Sequence, residues 1–566
     1  MHQGLADLAD RYWEASLAHH PTTASLIGDH RFDAELQDAS REAEDAFIDE
    51  LEDLASAAAD IDPSDLQPEE RISRAVLAFE ARSQAEALRS RLAELAVDPM
   101  KGVHISLIQG IGQLRARDRS QAEAFVAKAS KVGWLFDQTI ERHRQGVAGG
   151  RTPPRVLVEK VMGQIDAYLA APADDDSFLH IPAPVSMSQG EVDTWRAEMR
   201  RQVESVIRPA FERYRQVIAD EVLPVSRPPD RSGIGWLPDG DEVYGRAVTR
   251  YTTTDLTPAE IHQLGLDDIS ALEDEYRSLG AVALDTSDVP TIYERLRTDP
   301  ALRFEDADQV RAAAEDALAR ANAAVPQWFG RLPKAPCVVE PIPEVGAGDS
   351  TIAYYLMPSE DGARPGIYFI NLTEPTTRTR YEAEALAFHE SVPGHHLQLS
   401  IAQELDGVPA FQRHPFGGTA YIEGWGLYTE RLADEMGLYS GDLARLGMLS
   451  FDSWRACRLV VDTGMHAKGW SRQQAIDYML ANSPQAPNNV VNEVDRYIGW
   501  PGQALAYKIG QHRIMDLREE AQRTLGDRYD IKAFHDVVLG SGPVPLDVLT
   551  EMVREWSSEG RVASSE

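Results

Sequence analysis

From Leu5 to about Val222, apolar residues recur three and four positions apart through stretches rich in Ala, Leu, Glu and Arg. That spacing lays an apolar stripe along one side of a helix and predicts a succession of amphipathic helices. Breaks are expected at Ile61-Asp62-Pro63-Ser64, from Gly149 to Pro154 and from Ala171 to Pro184, where small, acidic and proline residues interrupt the period. A segment rich in proline and glycine, Pro224 to Gly245, marks the expected boundary between an N-terminal helical lobe, residues 1–225, and a C-terminal lobe, residues 226–566. Just beyond it, Thr257-Pro258-Ala259-Glu260 sets a capping hydroxyl, a proline at the first helical position and a glutamate three residues on, so a helix starts at Pro258.

The period changes further along. Cys337 to Ile342, Ile352 to Met357 and Ile367 to Leu372 are rich in β-branched and aromatic residues and are separated by Pro, Gly and Asp. They predict three short strands and a small sheet. Either the second or the third is expected to offer an open edge to an extended peptide, the alternative being that both are covered. Helical spacing resumes near Arg380 and continues to the end, so the expected class is mainly α with a minor sheet.

Composition narrows the function. Hydrophobic residues make up 43% and charged residues 26% of the 566, which excludes wholesale disorder. The 91 acidic against 56 basic residues, formally −35, repel phosphate backbones and anionic membrane surfaces, so neither nucleic acid nor a membrane is an expected partner. Acids at Asp7 and Asp10 stand where a secretory signal needs basic and then apolar residues, and no run of about 18 apolar residues follows. The expected location is cytoplasmic. Cys337 and Cys457 fit no metal-ligand spacing and no disulfide framework, so buried thiols are expected.

Three of the 15 histidines, His389, His395 and His396, fall close together after the helical run Tyr381 to Phe388. A hydrolytic zinc site needs two neutral imidazoles, a third protein ligand, an open position for water and a carboxylate to take the water's proton. His389 supplies the first ligand and Glu390 the base. One helical turn beyond His389, where a second histidine commonly stands, the chain has Pro393. Proline removes the bond to the His389 carbonyl and pushes Val392 out of the helical region, and Gly394 permits a positive φ. The helix is therefore expected to break after Glu390 and swing a histidine back toward His389. On a straight helix His396 would lie about 10 Å further along the axis, too far to share a zinc. His395 is the favoured second ligand, with His396 as its rival.

The third ligand should come from the next helical segment, Thr419 to Glu430, where Glu423 is the candidate. Gly424 and Gly426 beside it destabilise a helix by about 1 kcal/mol each against alanine, so a close neighbour is expected there. Glu430, two turns on, is the alternative ligand, with an exposed surface carboxylate as its expected role.

With these residues in hand, His389-Glu390-Ser391-Val392-Pro393-Gly394-His395-His396-Leu397-Gln398 followed by Glu423-Gly424-Trp425-Gly426-Leu427-Tyr428 resembles the bacterial domain-of-unknown-function 885 family. Gly233 to Pro238, Leu256 to Gly265 and Arg496 to Gly510 extend the resemblance over most of the chain. That family is similar in turn to helical zincin peptidases such as carboxypeptidase Taq, thimet-type oligopeptidases and angiotensin-converting enzyme. The resemblance implies a two-lobed, zincin-like helical fold with a deep cleft and the sheet beside the active-site helix. The inserted Pro393-Gly394 departs from the zincin motif.

A peptidase also needs donors for the developing oxyanion and a grip on its substrate. Pro501-Gly502 is expected to start a helix on which Gln503, Tyr507 and Gly510 share a face, with Arg496 and Tyr497 just before it. Tyr497 and Tyr507 are the candidate oxyanion donors, and Arg496, Lys508 and Gln503 the candidate substrate contacts. The zincin resemblance adds His466 as a possible hydrogen-bond donor to substrate, against a satisfied core histidine. The expected function is a Zn2+-dependent peptidase, a carboxypeptidase or oligopeptidase, acting on short peptides. Its rivals are a metal-dependent amidohydrolase acting on a non-peptide amide and a non-catalytic metal-binding scaffold.

Overall fold

A computed structural model describes residues 1–342, 351–359, 364–414 and 417–559. The long helices near the start of the chain are α1 (Gln3–His19), α2 (Arg41–Asp60) and α3 (Pro68–Arg89). The Ser40 hydroxyl caps α2 by accepting from the Ala43 amide at 3.2 Å. The expected interruptions fall between helices, with a tight turn at Pro63–Asp65 and helix ends at Ala148 and Ala170. Helix α4 (Pro258–Ala283) starts behind the predicted box: the Glu260 amide donates to Thr257 Oγ1 at 3.3 Å, and the Thr257 amide donates to Glu260 Oε2 at 2.8 Å.

The three predicted strands form as β1 (Cys337–Pro341), β2 (Ala353–Leu356) and β3 (Gly366–Ile370). Strand β3 lies in the middle, parallel to β1 and antiparallel to β2. The Ile367 to Leu372 stretch therefore has no free edge, because both of its sides are already paired, and β2 forms a flank of the sheet. The sheet packs on two short helices, α5 (Ala383–Glu390) and α6 (His395–Gln403). Among the longer helices that follow are α7 (Thr419–Glu435), α8 (Asp442–Ala467), α9 (Pro487–Gly499) and α10 (Ala506–Leu525). Helix α8 runs against α4, and α7 against α10. Every residue from Leu446 to His466 is buried, which makes α8 the axis of this half of the molecule.

The helix expected from Pro501 begins later. Gly502 turns the chain with φ near 81°, a tight turn spans Gln503–Leu505, and α10 starts at Ala506. Arg496 and Tyr497 consequently belong to α9.

Among the described residues, the buried apolar ones fall into three clusters. One joins Leu5, Leu51 and Leu77 of α1–α3 to Phe388, Trp425 and Ile509, so the first helices share a core with those around the histidines. A second unites Leu157 with residues of α4, α8 and α9. The third, Leu36 with residues from Val97 to Val222, has a core of its own. The Pro224 to Gly245 segment is sealed onto α8 at its centre: a Cβ on Gly233 would lie 1.8 Å from the Met465 carbonyl oxygen. The Ile234 amide donates to His466 Nδ1 at 2.9 Å. Among the described residues no helix is long and apolar enough to cross a membrane.

Candidate metal centre

Helix α5 stops at Glu390 because the next residues cannot continue its ladder. Pro393 has no N–H to offer the His389 carbonyl, and Ser391 leaves the helical region with φ near −105° and ψ near −114°. The Val392–Pro393 peptide is cis. The Ser391 hydroxyl donates to the Ala387 carbonyl at 2.6 Å, and the His396 amide donates to the Ser391 carbonyl at 3.0 Å. From α7, the Trp425 indole donates to the Pro393 carbonyl at 3.0 Å. Gly394 holds a negative φ near −77°, contrary to the expected positive one. Close approach is what calls for glycine: a Cβ there would lie 1.9 Å from the His389 carbonyl oxygen.

The folded-back chain opens α6 with His395, whose ring centroid lies 4.7 Å from that of His389 at an interplanar angle of 84°. Helix α7 delivers Glu423. Its Oε2 is 3.6 Å from His389 Nε2 and 3.5 Å from His395 Nε2. Ligand atoms of all three residues lie within 4.8 Å of one another. Bonds of about 2.0–2.1 Å in a tetrahedral shell put ligand atoms roughly 3.3 Å apart, close to the two carboxylate–imidazole distances. Both glycines beside Glu423 have neighbours that require them. A Cβ on Gly424 would lie 2.4 Å from Gly510 Cα in α10, and one on Gly426 would lie 2.6 Å from His389 Cε1. The two helix backbones thus touch at Gly424, and the His389 ring rests on α7 at Gly426.

Behind the cluster, Glu430 Oε1 accepts from His389 Nδ1 at 2.8 Å. Glu430 is 1% exposed, against the expected surface position, because it shares the face of α7 that carries Glu423, and that face is turned to the His389 ring. A carboxylate on the far nitrogen fixes the imidazole's tautomer and leaves Nε2 free for a cation. Burial by itself would lower the His389 pKa, but Glu423 and Glu430 outweigh it and hold the imidazole up at about 9. Burial would likewise raise Glu423, yet His389 and His395 hold it well below the usual carboxylate range. Two carboxylates facing one imidazole make a place for positive charge, and two imidazole nitrogens with one carboxylate oxygen are a donor set that suits zinc.

With that geometry established, similarity to other proteins can be placed. A family described as "Bacterial protein of unknown function (DUF885)" matches residues 21–553. The chain belongs to this family. A crystal structure of a "putative lipoprotein" from Colwellia psychrerythraea is similar, with a TM-score of 0.93 at 26% identity over 98% of this chain and 99% of that one. A "putative lipoprotein of unknown function" from Shewanella oneidensis has the same fold, with a TM-score of 0.76 at 18% identity over 97% of this chain and 99% of that one. No curated protein matches.

Within this member of the family, two further predicted residues lie beside the cluster. The charge of Glu390 reaches both His389 and Tyr368 of β3, and no described residue hydrogen-bonds its half-buried carboxylate. The Tyr507 ring stacks toward His389 with centroids 6.4 Å apart. Burial, and then the Glu423 carboxylate, raise its pKa, so the phenol stays protonated and able to donate.

The other predicted residues are engaged elsewhere. His396 turns toward the sheet, with Nδ1 3.0 Å from the Tyr355 hydroxyl and Nε2 3.1 Å from the Ala335 carbonyl. It does not join the cluster, because the step from 395 to 396 rotates the side chain about 100° around α6, and burial lowers its pKa to about 4. The Tyr497 hydroxyl donates to Glu493 at 2.8 Å and accepts from Arg458 Nε and the Trp454 indole, so it has no bond left for an oxyanion. His466 is a satisfied core histidine: it accepts from the Ile234 amide and donates to the Tyr497 carbonyl at 3.1 Å. Arg496 is held by Glu493 at 2.9 Å and by Gln503 at 2.8 Å, which occupies both predicted substrate contacts. Lys508 is buried against Asp452 and Gln511, so its charge is spent inside the core.

Sequence reasoning misjudged the exposure of one residue at the cluster and missed another near it. Glu430, read as lying on the same face as Glu423 and as the alternative ligand, was expected to be exposed, and it is buried against His389 instead. Arg455 was not considered, although a basic residue in the apolar run from Leu446 to Met465 is itself a signal.

Proposed function

We propose that the chain is a zinc-dependent peptidase acting on short peptides. The observation that carries this reading is the convergence of His389, His395 and Glu423 within 4.8 Å, with Glu390 next in sequence to the first of them. Zinc bound there supplies Lewis acidity to a water and to a substrate carbonyl. Glu390 takes a proton from the attacking water as its oxygen bonds to the carbonyl carbon, and passes that proton to the amine nitrogen when the C–N bond breaks. The products are one carboxylate and one amine. Tyr507 donates to the oxyanion that develops on the carbonyl, and Glu430 keeps His389 in the tautomer with Nε2 unprotonated. A zincin-like, two-lobed body with a cleft belongs to this reading, as does a cytoplasmic location. The lipoprotein description of the two similar structures makes a lipid-anchored envelope protein the alternative that cell fractionation separates.

The test is metal analysis of the purified chain, followed by digestion of a peptide library read by mass spectrometry. Stoichiometric zinc with cleavage that a chelator abolishes is expected. Zinc without cleavage of any peptide would favour a binding scaffold, and cleavage of non-peptide amides alone would favour an amidohydrolase.

A further inference from the structure

Helix α8 passes through the protein with Leu446 to His466 wholly buried, yet it carries five charged or titratable polar side chains, Asp452, Arg455, Arg458, Asp462 and His466. A buried ion is expensive unless a partner compensates it. Four of the five are compensated. Asp452 takes Lys508 and Arg431; Arg458 takes Glu493 at 3.0 Å and Tyr497 at 2.8 Å. Asp462 accepts from the Tyr244 hydroxyl at 2.6 Å and the Gly502 amide at 3.1 Å, and His466 is bonded through both nitrogens.

Arg455 is the exception. It is 5% exposed, and its Nε and Nη1 are sealed from solvent with no acceptor. No carboxylate among the described residues lies within ion-pair distance of it. Its guanidinium instead stacks on Phe451 and Trp454, 4.5 Å from each ring, with Tyr507 at 5.8 Å. Arg458, 4.4 Å over the same Tyr507 ring, also has one nitrogen, Nη1, buried without an acceptor. Glu493 is shared between Arg458 and Arg496, and the other carboxylate that acts on Tyr507, Glu423, is engaged with His389 and His395, so neither neutralises Arg455. In a chain of formal charge −35, this is a buried concentration of positive charge beside the His389 cluster.

We propose that Arg455, through Nη2, the one guanidinium nitrogen of this residue that is not sealed, is the anchor for the free C-terminal carboxylate of the substrate. The inference rests on the peptidase reading and sharpens it. The guanidinium lies within about 12 Å of the His389 ring through Tyr507, the reach of roughly three extended residues. The scissile bond is therefore one to three residues from the substrate's C terminus, and the released fragment is an amino acid, a dipeptide or a tripeptide. Arg496 and Lys508, already paired, do not take this role.

The test compares a pool of hexapeptides bearing free C-terminal carboxylates with the same pool amidated, using the zinc-loaded full chain. Losing charge-assisted hydrogen bonds to the carboxylate should lower kcat/KM for the amides about 10- to 100-fold. Arg455→Gln should bring the free acids down to the level of the amides, and Arg455→Lys should recover part of the difference. Mass spectrometry should find fragments of three residues or fewer leaving the C terminus. Calorimetry on Glu390→Gln, alone and combined with Arg455→Gln, measures the same preference without cleavage. Tighter binding of the acids that disappears with Arg455→Gln supports the anchor even if no peptide is cut, in which case the peptidase reading alone fails. Equal cleavage of acids and amides overturns the anchor and leaves the peptidase reading standing. An acid preference that survives Arg455→Gln, or equal binding of both pools, overturns it as well.

Discussion

His389 and His466 are both buried imidazoles at the C-terminal ends of helices in the same bundle, yet their surroundings act on them in opposite directions. Around His466 the partners are neutral, a backbone amide and a backbone carbonyl, so burial dominates and, with Arg227 nearby, lowers its pKa to about 3. Around His389 two carboxylates overcome the same burial and raise it to about 9. One region tolerates only a neutral ring and serves as a structural tie between the Gly233–Trp236 turn and α9. The other is arranged to hold positive charge. Burial of a histidine is thus uninformative by itself, and the charge of its partners decides what it can do.

The largest effect that can break this contrast lies at Glu390. Glu390→Gln should keep zinc and lose about 10²-fold or more of the turnover rate, as expected when a general base is removed while the ligands stay. His389→Ala or Glu423→Ala should lose zinc and activity together. Metal analysis with peptide digestion checks both; near-normal turnover in the first, or full zinc in either of the others, removes that residue from its role.

A second comparison sets Glu430 against His466. Glu430→Gln should weaken zinc binding about 10- to 100-fold by loosening the hold on the His389 ring. His466→Gln should leave zinc binding alone and lower stability by about 1–3 kcal/mol, since a buried amide or carbonyl loses its partner. Competition with a chelator and denaturant melts read the two quantities. Equal loss of zinc in both variants would mean that the two regions are not independent.

Smaller still is the difference between neighbours. His395→Ala should weaken zinc binding more than His396→Ala, whose ring contacts Tyr355 and Ala335 instead. The reverse order in a chelator titration would move the second ligand to His396.

The smallest effect is in pH dependence. The folded pKa of His466, about 3, lies below its ordinary 6.5, so between those values the unfolded chain binds the extra proton. Its contribution to stability is full above about pH 6.5 and is lost as the pH falls toward 3. Melting temperatures measured from pH 7 to pH 4 should therefore fall, and less steeply in His466→Gln. An unchanged slope would show that His466 does not carry that dependence.

Much of the fold was legible because its signals are local. Thr257 and Glu260 are three residues apart and needed no distant partner to start α4. Pro393 lacks an N–H whatever surrounds it, so the break after Glu390 follows from the covalent chain. The role of Gly394 was misread because its Cβ clash is with a backbone oxygen that only the folded turn brings near. Tyr497 and Lys508 looked available for the same reason: nothing in their neighbourhood along the chain reveals that Trp454 and Asp452 wait for them across the helix interfaces, whereas Glu493, which holds Arg496, stands only three residues before it on α9 and was legible as a partner.

What the sequence alone determined is the set of chemical groups, the helices and strands, and the point where α5 must stop. Those depend on spacings of a few residues, over which backbone geometry and hydrogen bonding act directly. Only the tertiary structure decided that His395 rather than His396 faces His389, that Glu430 turns inward, and that Arg455 is left without an anion. Each of these is set by close packing between helices distant in sequence, such as α7 against α10 at Gly424 and Gly510, where contact distances of a few ångströms select one partner from many.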